Sequence, residues 1–130
     1  MSALRLALSI RPGLYAICRL PPDTPPPAWA FTASHWSITR TEDEMSVVVP
    51  EAMVPPDVNA SRGWRVLRFA GPMPLDQSGI LASVTGPLAA ARVSVFAMAT
   101  YDTDYVLFPD AQRATVVTVL EAAGHQVSVI

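Results

Sequence analysis

The longest apolar run in the chain, residues 80–99, changes character halfway along. At twenty residues it approaches the length that crosses a membrane. Gly86-Pro87 interrupts it, however, and Arg92 sits inside it. In its first part Ile80, Leu81, Val84, Leu88 and Ala91 recur at helical spacing and give one apolar face. Its second part reads as a strand. The run therefore predicts a buried helix followed by a strand, not a transmembrane segment.

The flanking residues extend that reading. Residues 64–71 (WRVLRFAG) form a strand, and 72–78 a proline-containing loop. Asp76 or Ser78 can cap the helix over 79–92 by accepting its free N–H groups. Pro87 bends this helix, because it removes the bond back to Ser83. Strands follow over 93–100 and 104–108. Pro109-Asp110 opens a second helix with Asp110 as cap. Val116, Val117, Leu120 and Ala123 form its inward stripe, and Gly124 ends it. A last strand covers 126–130. This β-α-β-β-α-β order is the ferredoxin-like motif, with two helices on one face of a four-stranded antiparallel sheet. Neither face of the 93–100 strand is properly polar. We expect it to be central, with its second face covered by the rest of the chain or another subunit.

The first half is a degenerate echo of the same order. Strands are expected over 4–10, 14–20, 36–40 and 44–49. Five prolines make 21–27 an extended loop. Residues 28–34 suffice for about two helical turns. Residues 41–43 form a turn and 50–63 a linker, with a short helical turn at 56–60. The expected fold class is α+β: two ferredoxin-like (βαββαβ) modules, residues 1–62 and 63–130, the first degenerate. There is no strict internal repeat.

Composition narrows the function. The 130 residues are 51% hydrophobic and only 15% charged, which is globular. There is no lysine, the net charge is −2, and no basic stripe exists to hold nucleic acid. Cys18 is alone, so it forms no internal disulfide, has no zinc-type spacing, and reads as a small buried hydrophobe. Residues 6–10 are too short for a secretion signal and run straight into Arg11-Pro12-Gly13. A soluble, cytoplasmic protein is expected. No nucleophile elbow, Gly-rich phosphate loop or HExxH helix is present. The expectation is a non-enzyme with no cofactor and no metal.

Two stretches carry a resemblance. Residues 78–109, SGILASVTGPLAAARVSVFAMATYDTDYVLFP, resemble the ACT domain. The likeness is to the paired-ACT branch related to aspartokinase regulatory modules and the CASTOR arginine sensor. Residues 41–51, TEDEMSVVVPE, are similar to the segment that ends the first module in that branch, and LEAAGHQV fits the closing helix and strand. The resemblance implies a regulatory protein that binds a small ligand, often an amino acid, at a module or subunit interface. From the charge balance, the interrupted apolar run and the apolar strand faces, a homo-oligomer is expected, with neither nucleic acid nor membrane as partner. The resemblance also places Ser78, Gly79 and Ile80 on the loop approaching the ligand, and Thr100, Tyr101 and Asp104 on the opposite wall. Where the arginine-sensing branch has two aromatics, this chain has Tyr101 and then Thr103, so ligand identity does not carry over.

The residue types suit an amino acid. Helix N-terminal N–H groups bind a carboxylate, and Gly79 lets a ligand approach the backbone. Asp104 can receive an ammonium, and Tyr101 can stack on a cationic side chain. Asp102 reads as a solvated turn residue. Glu42, Asp43 and Glu44 read as a solvated hairpin turn, and His35 and His125 as exposed or capping. The rival reading is a ligand-free structural or interaction module acting through its sheet face.

Overall fold

The computed structural model describes residues 4–35 and 37–130. The start of the expected strand at Trp36, and residues 1–3 of the expected first module, lie outside the described residues. The chain forms two compact units. One joins the residues up to Pro12 with Arg65–Ile130; the other is Gly13–Trp64. Beside the expected division into 1–62 and 63–130, the unit changes at Trp64 and the N-terminal strand lies with the C-terminal half. That strand, β1 (Ala7–Ile10), pairs antiparallel with β5 (Ala60–Phe69) and parallel with β8 (Gln126–Val129). Its ladder bonds, rather than its place in sequence, put it in the unit of the C-terminal half.

That unit also holds α1 (Ile80–Ala90), β6 (Phe96–Ala99), β7 (Asp104–Pro109) and α2 (Arg113–Ala122). The pairings order its strands β8-β1-β5-β7-β6. It is thus a βαββαβ module with an extra strand inserted beside β5, and its last strand pairs parallel instead of joining a purely antiparallel sheet. Ile80, Val84 and Leu88 of α1 and Val116 and Leu120 of α2 pack with Leu8, Ile10, Leu67, Phe69, Val106 and Phe108. Full burial of each such side chain contributes about 1.5–3 kcal/mol.

Several local expectations are corrected. β6 pairs only with β7 among the described residues, so it is an edge strand and not the central one. The strands buried on both faces lie further in: Val66 of β5 and Leu107 of β7 are fully buried although they alternate with core residues. Asp110 caps nothing. It starts a 3-10 turn, Asp110–Gln112, and its carboxylate accepts from the Arg65 Nε at 2.7 Å. His125 is 5% exposed, neither a surface nor a capping group.

Both helices end in Schellman motifs. Gly124, at φ 98°, closes α2 with a bond to the Glu121 carbonyl, and His125 bonds to that of Leu120. The corresponding position after α1 is Arg92, at φ 61°, in the left-handed region where a side chain is strained. Its N–H donates to the Ala89 carbonyl, and Val93 donates to that of Leu88.

The Gly13–Trp64 unit contains β2 (Tyr15–Leu20), β3 (Ser37–Arg40) and β4 (Met45–Pro50), with the first half of β5. The order is β3-β4-β2-β5, all antiparallel. The expected helix over 28–34 is only a 3-10 turn, Ala28–Phe31. The helical turn expected at 56–60 occurs instead at Glu51–Met53. Ala16, Cys18, Met45, Val47 and Val49 form this unit's core with Ala30 and Val54. Burial pushes the Cys18 thiol pKa up, partly opposed by the charge of Arg62.

Candidate ligand-binding cleft

The segment between β5 and α1 is fastened to the β6–β7 turn. Gly71 passes so close that a Cβ there would lie 2.9 Å from the Thr103 Cβ and 3.0 Å from the Asp102 carbonyl oxygen. The Met73 N–H donates to that same carbonyl at 2.7 Å. Thr103 is 5% exposed, and its hydroxyl donates to the Phe69 carbonyl at 2.8 Å. The turn is also closed within itself: the Thr100 N–H donates to the Thr103 carbonyl at 2.9 Å, and the Thr103 N–H donates to Thr100 Oγ1 at 3.3 Å. Thr and Asp suit such a turn because short polar side chains replace missing backbone partners.

An open cleft of about 330 Å3 lies between these segments. The loop contributes Met73, Leu75 and Gln77, the start of α1 contributes Gly79 to Ala82, and the hairpin contributes residues 99–104. Five sequence candidates meet here: Gly79, Ile80, Thr100, Tyr101 and Asp104. Ser78 is exposed and does not line the cleft. Ile80 is only 6% exposed in the core, so its backbone is what it can offer. Tyr101, 80% exposed, stands at the rim. The Thr100 hydroxyl is committed to the turn.

The start of α1 departs from the sequence expectation in a useful way. Neither Asp76 nor Ser78 caps it; the N-cap is Gly79, at φ 84° and ψ −3°, with no side-chain bond. Only glycine takes this conformation without strain. The first N–H groups of α1 are thus left without a side-chain acceptor, at the positive end of the helix dipole. Across the cleft stand Asp102 and Asp104, its only charged lining residues. Asp104 is half-buried at the hairpin end, paired with Ala99. The sole ion pair among the described residues joins Arg65 to Asp110, so no cation among the described residues pairs with either aspartate. Donors on one wall and carboxylates on the other fit a small zwitterion.

Gly71 and Thr103 were not legible as site residues. Gly71 sits before a proline and resembles ordinary loop punctuation, and Thr103 shows its role only once Phe69 is seen beside it. Among the described residues no three His, Cys, Asp or Glu side chains cluster as metal ligands. No helix is long and apolar enough to cross a membrane.

Comparison with known proteins bears on the fold. The family model of the ACT domain matches residues 59–122, and a second model, describing an N-terminal domain, matches residues 13–57. The crystal structure of protein Atu0741 from Agrobacterium tumefaciens superposes with a TM-score of 0.93 at 36% identity, covering 98% of this chain and 96% of that one. The regulatory subunit of aspartate kinase from Thermus thermophilus superposes with a TM-score of 0.58 at 13% identity, covering 93% and 95%, and is alike in fold. The human cytosolic arginine sensor for mTORC1 subunit 1 is 39% identical over 59 residues. That match spans 45% of this chain and only 18% of the sensor. The fold is ferredoxin-like α+β, and residues 59–122 belong to the ACT-domain family.

Proposed function

We propose that this chain is a non-catalytic regulatory module that binds an amino acid in the cleft beside α1. The observation that carries the reading is the α1 N-terminus without a side-chain cap on one wall and, on the other, Asp104, which has no ion-pair partner among the described residues. The helix start receives the ligand carboxylate, and Asp104 receives its ammonium. Gly79 and Ile80 present backbone, while Thr100 shapes the turn and Tyr101 covers the rim. Likeness to an arginine sensor and to an aspartate kinase regulatory subunit supports an amino-acid ligand. The protein acts in the cytoplasm as a homo-oligomer, and the ligand shifts the balance between assemblies by binding one more tightly.

Thermal shift and calorimetry with each of the twenty amino acids test this. A ligand at a hundred times its Kd adds about 2.7 kcal/mol. For a chain of this size that is a rise of roughly 5–10 °C in Tm. If no amino acid stabilises the protein at millimolar concentration, the reading fails.

A second reading rests on the edge strand. Val95, Ala97 and Ala99 are exposed along or beside β6, which carries no charge to block pairing. A ligand-free interaction module acting through its sheet is the function this favours. An assembly whose stability ignores every metabolite would distinguish it.

A further inference from the structure

We infer that Gly71 and Thr103 act together as a spacer that sets the width of the cleft, and so selects ligand size through the separation of its walls. The inference rests on the amino-acid reading above and concerns its specificity. The two walls come from segments remote in sequence. One leaves β5 at Phe69 and leads through Gly71 and Met73 to α1; the other is the Thr100–Asp104 turn. Their separation depends on what holds them where they diverge.

At that point the contacts are few and close. Thr103 is the one buried hydroxyl of the turn, and its Oγ1 donates to the Phe69 carbonyl at 2.8 Å. Gly71 then passes the Thr103 Cβ with no room for a methyl group, since a Cβ there would be 2.9 Å away. The Met73 N–H to Asp102 carbonyl bond, at 2.7 Å, fastens the next step. Gly71 has no positive φ, so conformational freedom does not explain its presence; close approach does. The obstructing atoms are a Cβ and a backbone carbonyl, which cannot swing aside as the tip of a long side chain could. A methyl group at 71 therefore has to part the walls. Loss of the Thr103 hydroxyl removes the bond to the Phe69 carbonyl and releases the same joint from the other side. Gly71 is outside the cleft lining; Thr103 lies in it, but its hydroxyl is spent on Phe69 and acts through that bond. Both are therefore positioning residues.

The experiment is calorimetric titration of the full chain with the twenty amino acids, on wild type and on Gly71→Ala, Thr103→Val and Thr103→Ser. A general loss of stability lowers all affinities alike; a wider cleft changes their order. Gly71→Ala and Thr103→Val are expected to shift the affinity ratio of the preferred amino acid to its larger analogues by about tenfold toward the larger, the scale of a misplaced methylene. Thr103→Ser keeps the hydroxyl and is expected to keep the wild-type order. If the folded variants preserve that order, the spacer role is wrong while amino-acid binding stands. Thr103→Ser alone overturns it too if that variant folds and reorders the ligands as strongly as Thr103→Val. If wild type binds no amino acid, the functional reading fails first and takes the spacer with it.

Discussion

His125 supplies to Ser83 the hydrogen bond that Pro87 cannot. Pro87 lies inside α1 and has no N–H for the carbonyl four residues back. The His125 Nε2 lies 2.9 Å from that carbonyl, and its Nδ1 accepts the Leu6 N–H at 3.1 Å. Because a backbone N–H can only donate, the imidazole is neutral with its proton on Nε2. One buried ring thus ties α1 to the approach to β1.

Replacing this ring strands two backbone groups. His125→Ala is expected to destabilise the protein by about 2–4 kcal/mol, read by urea denaturation. The effect should shrink in a Pro87→Ala background, where position 87 regains an N–H that can bond to the Ser83 carbonyl. Additive losses in that double-mutant cycle would contradict the shared role of the two residues.

Arg92 carries left-handed strain that glycine would remove. Arg92→Gly is expected to raise stability by about 1 kcal/mol, seen as a higher denaturation midpoint at unchanged slope. Loss of stability would mean that the Arg92 side chain contributes more than its backbone costs.

The two aspartates of the cleft should separate in binding. On the proposed reading, Asp104→Asn weakens the amino acid ten- to a hundredfold, as expected for about 1.5–3 kcal/mol of charge-assisted bonding. Exposed Asp102→Asn should change affinity by less than about threefold, because water screens its charge. Calorimetry on both variants measures the difference, and equal effects would remove Asp104 from its special place.

Cys18 sets an alkaline limit. Burial raises the pKa of its thiol above the ordinary 9.0, so folding favours the neutral form. The associated stability is whole below pH 9.0 and is lost as pH rises from there through the folded-state value. Unfolding free energies measured from about pH 8 to about pH 10.5 should fall more steeply for wild type than for Cys18→Ala. The native thiol should also react slowly with alkylating reagents, and fast labelling would contradict its burial.

Much of this protein follows from local pattern. The helical period of Ile80, Val84 and Leu88, the proline-rich start of residues 21–27 and the Gly124 stop all act over a few residues. They place α1, α2 and most strands to within a few positions. The resemblance within residues 78–109 also brings Gly79, Ile80, Thr100, Tyr101 and Asp104 together before any coordinates are seen. Tertiary structure decided what depends on partners distant in sequence. β1 joins β5 and β8 because of ladder bonds that no local pattern encodes. β6 lies at the edge because β7, not β6, pairs with β5. Asp110 turns from a cap into the partner of Arg65, and His125 from a surface turn residue into a buried link, because residues far away in sequence meet them. The TYDTDY stretch shows the division most plainly: Asp104 stands out as a candidate in its own run, whereas the close approach of Gly71 to Thr103 and the bond from Thr103 to Phe69 exist only in the folded chain.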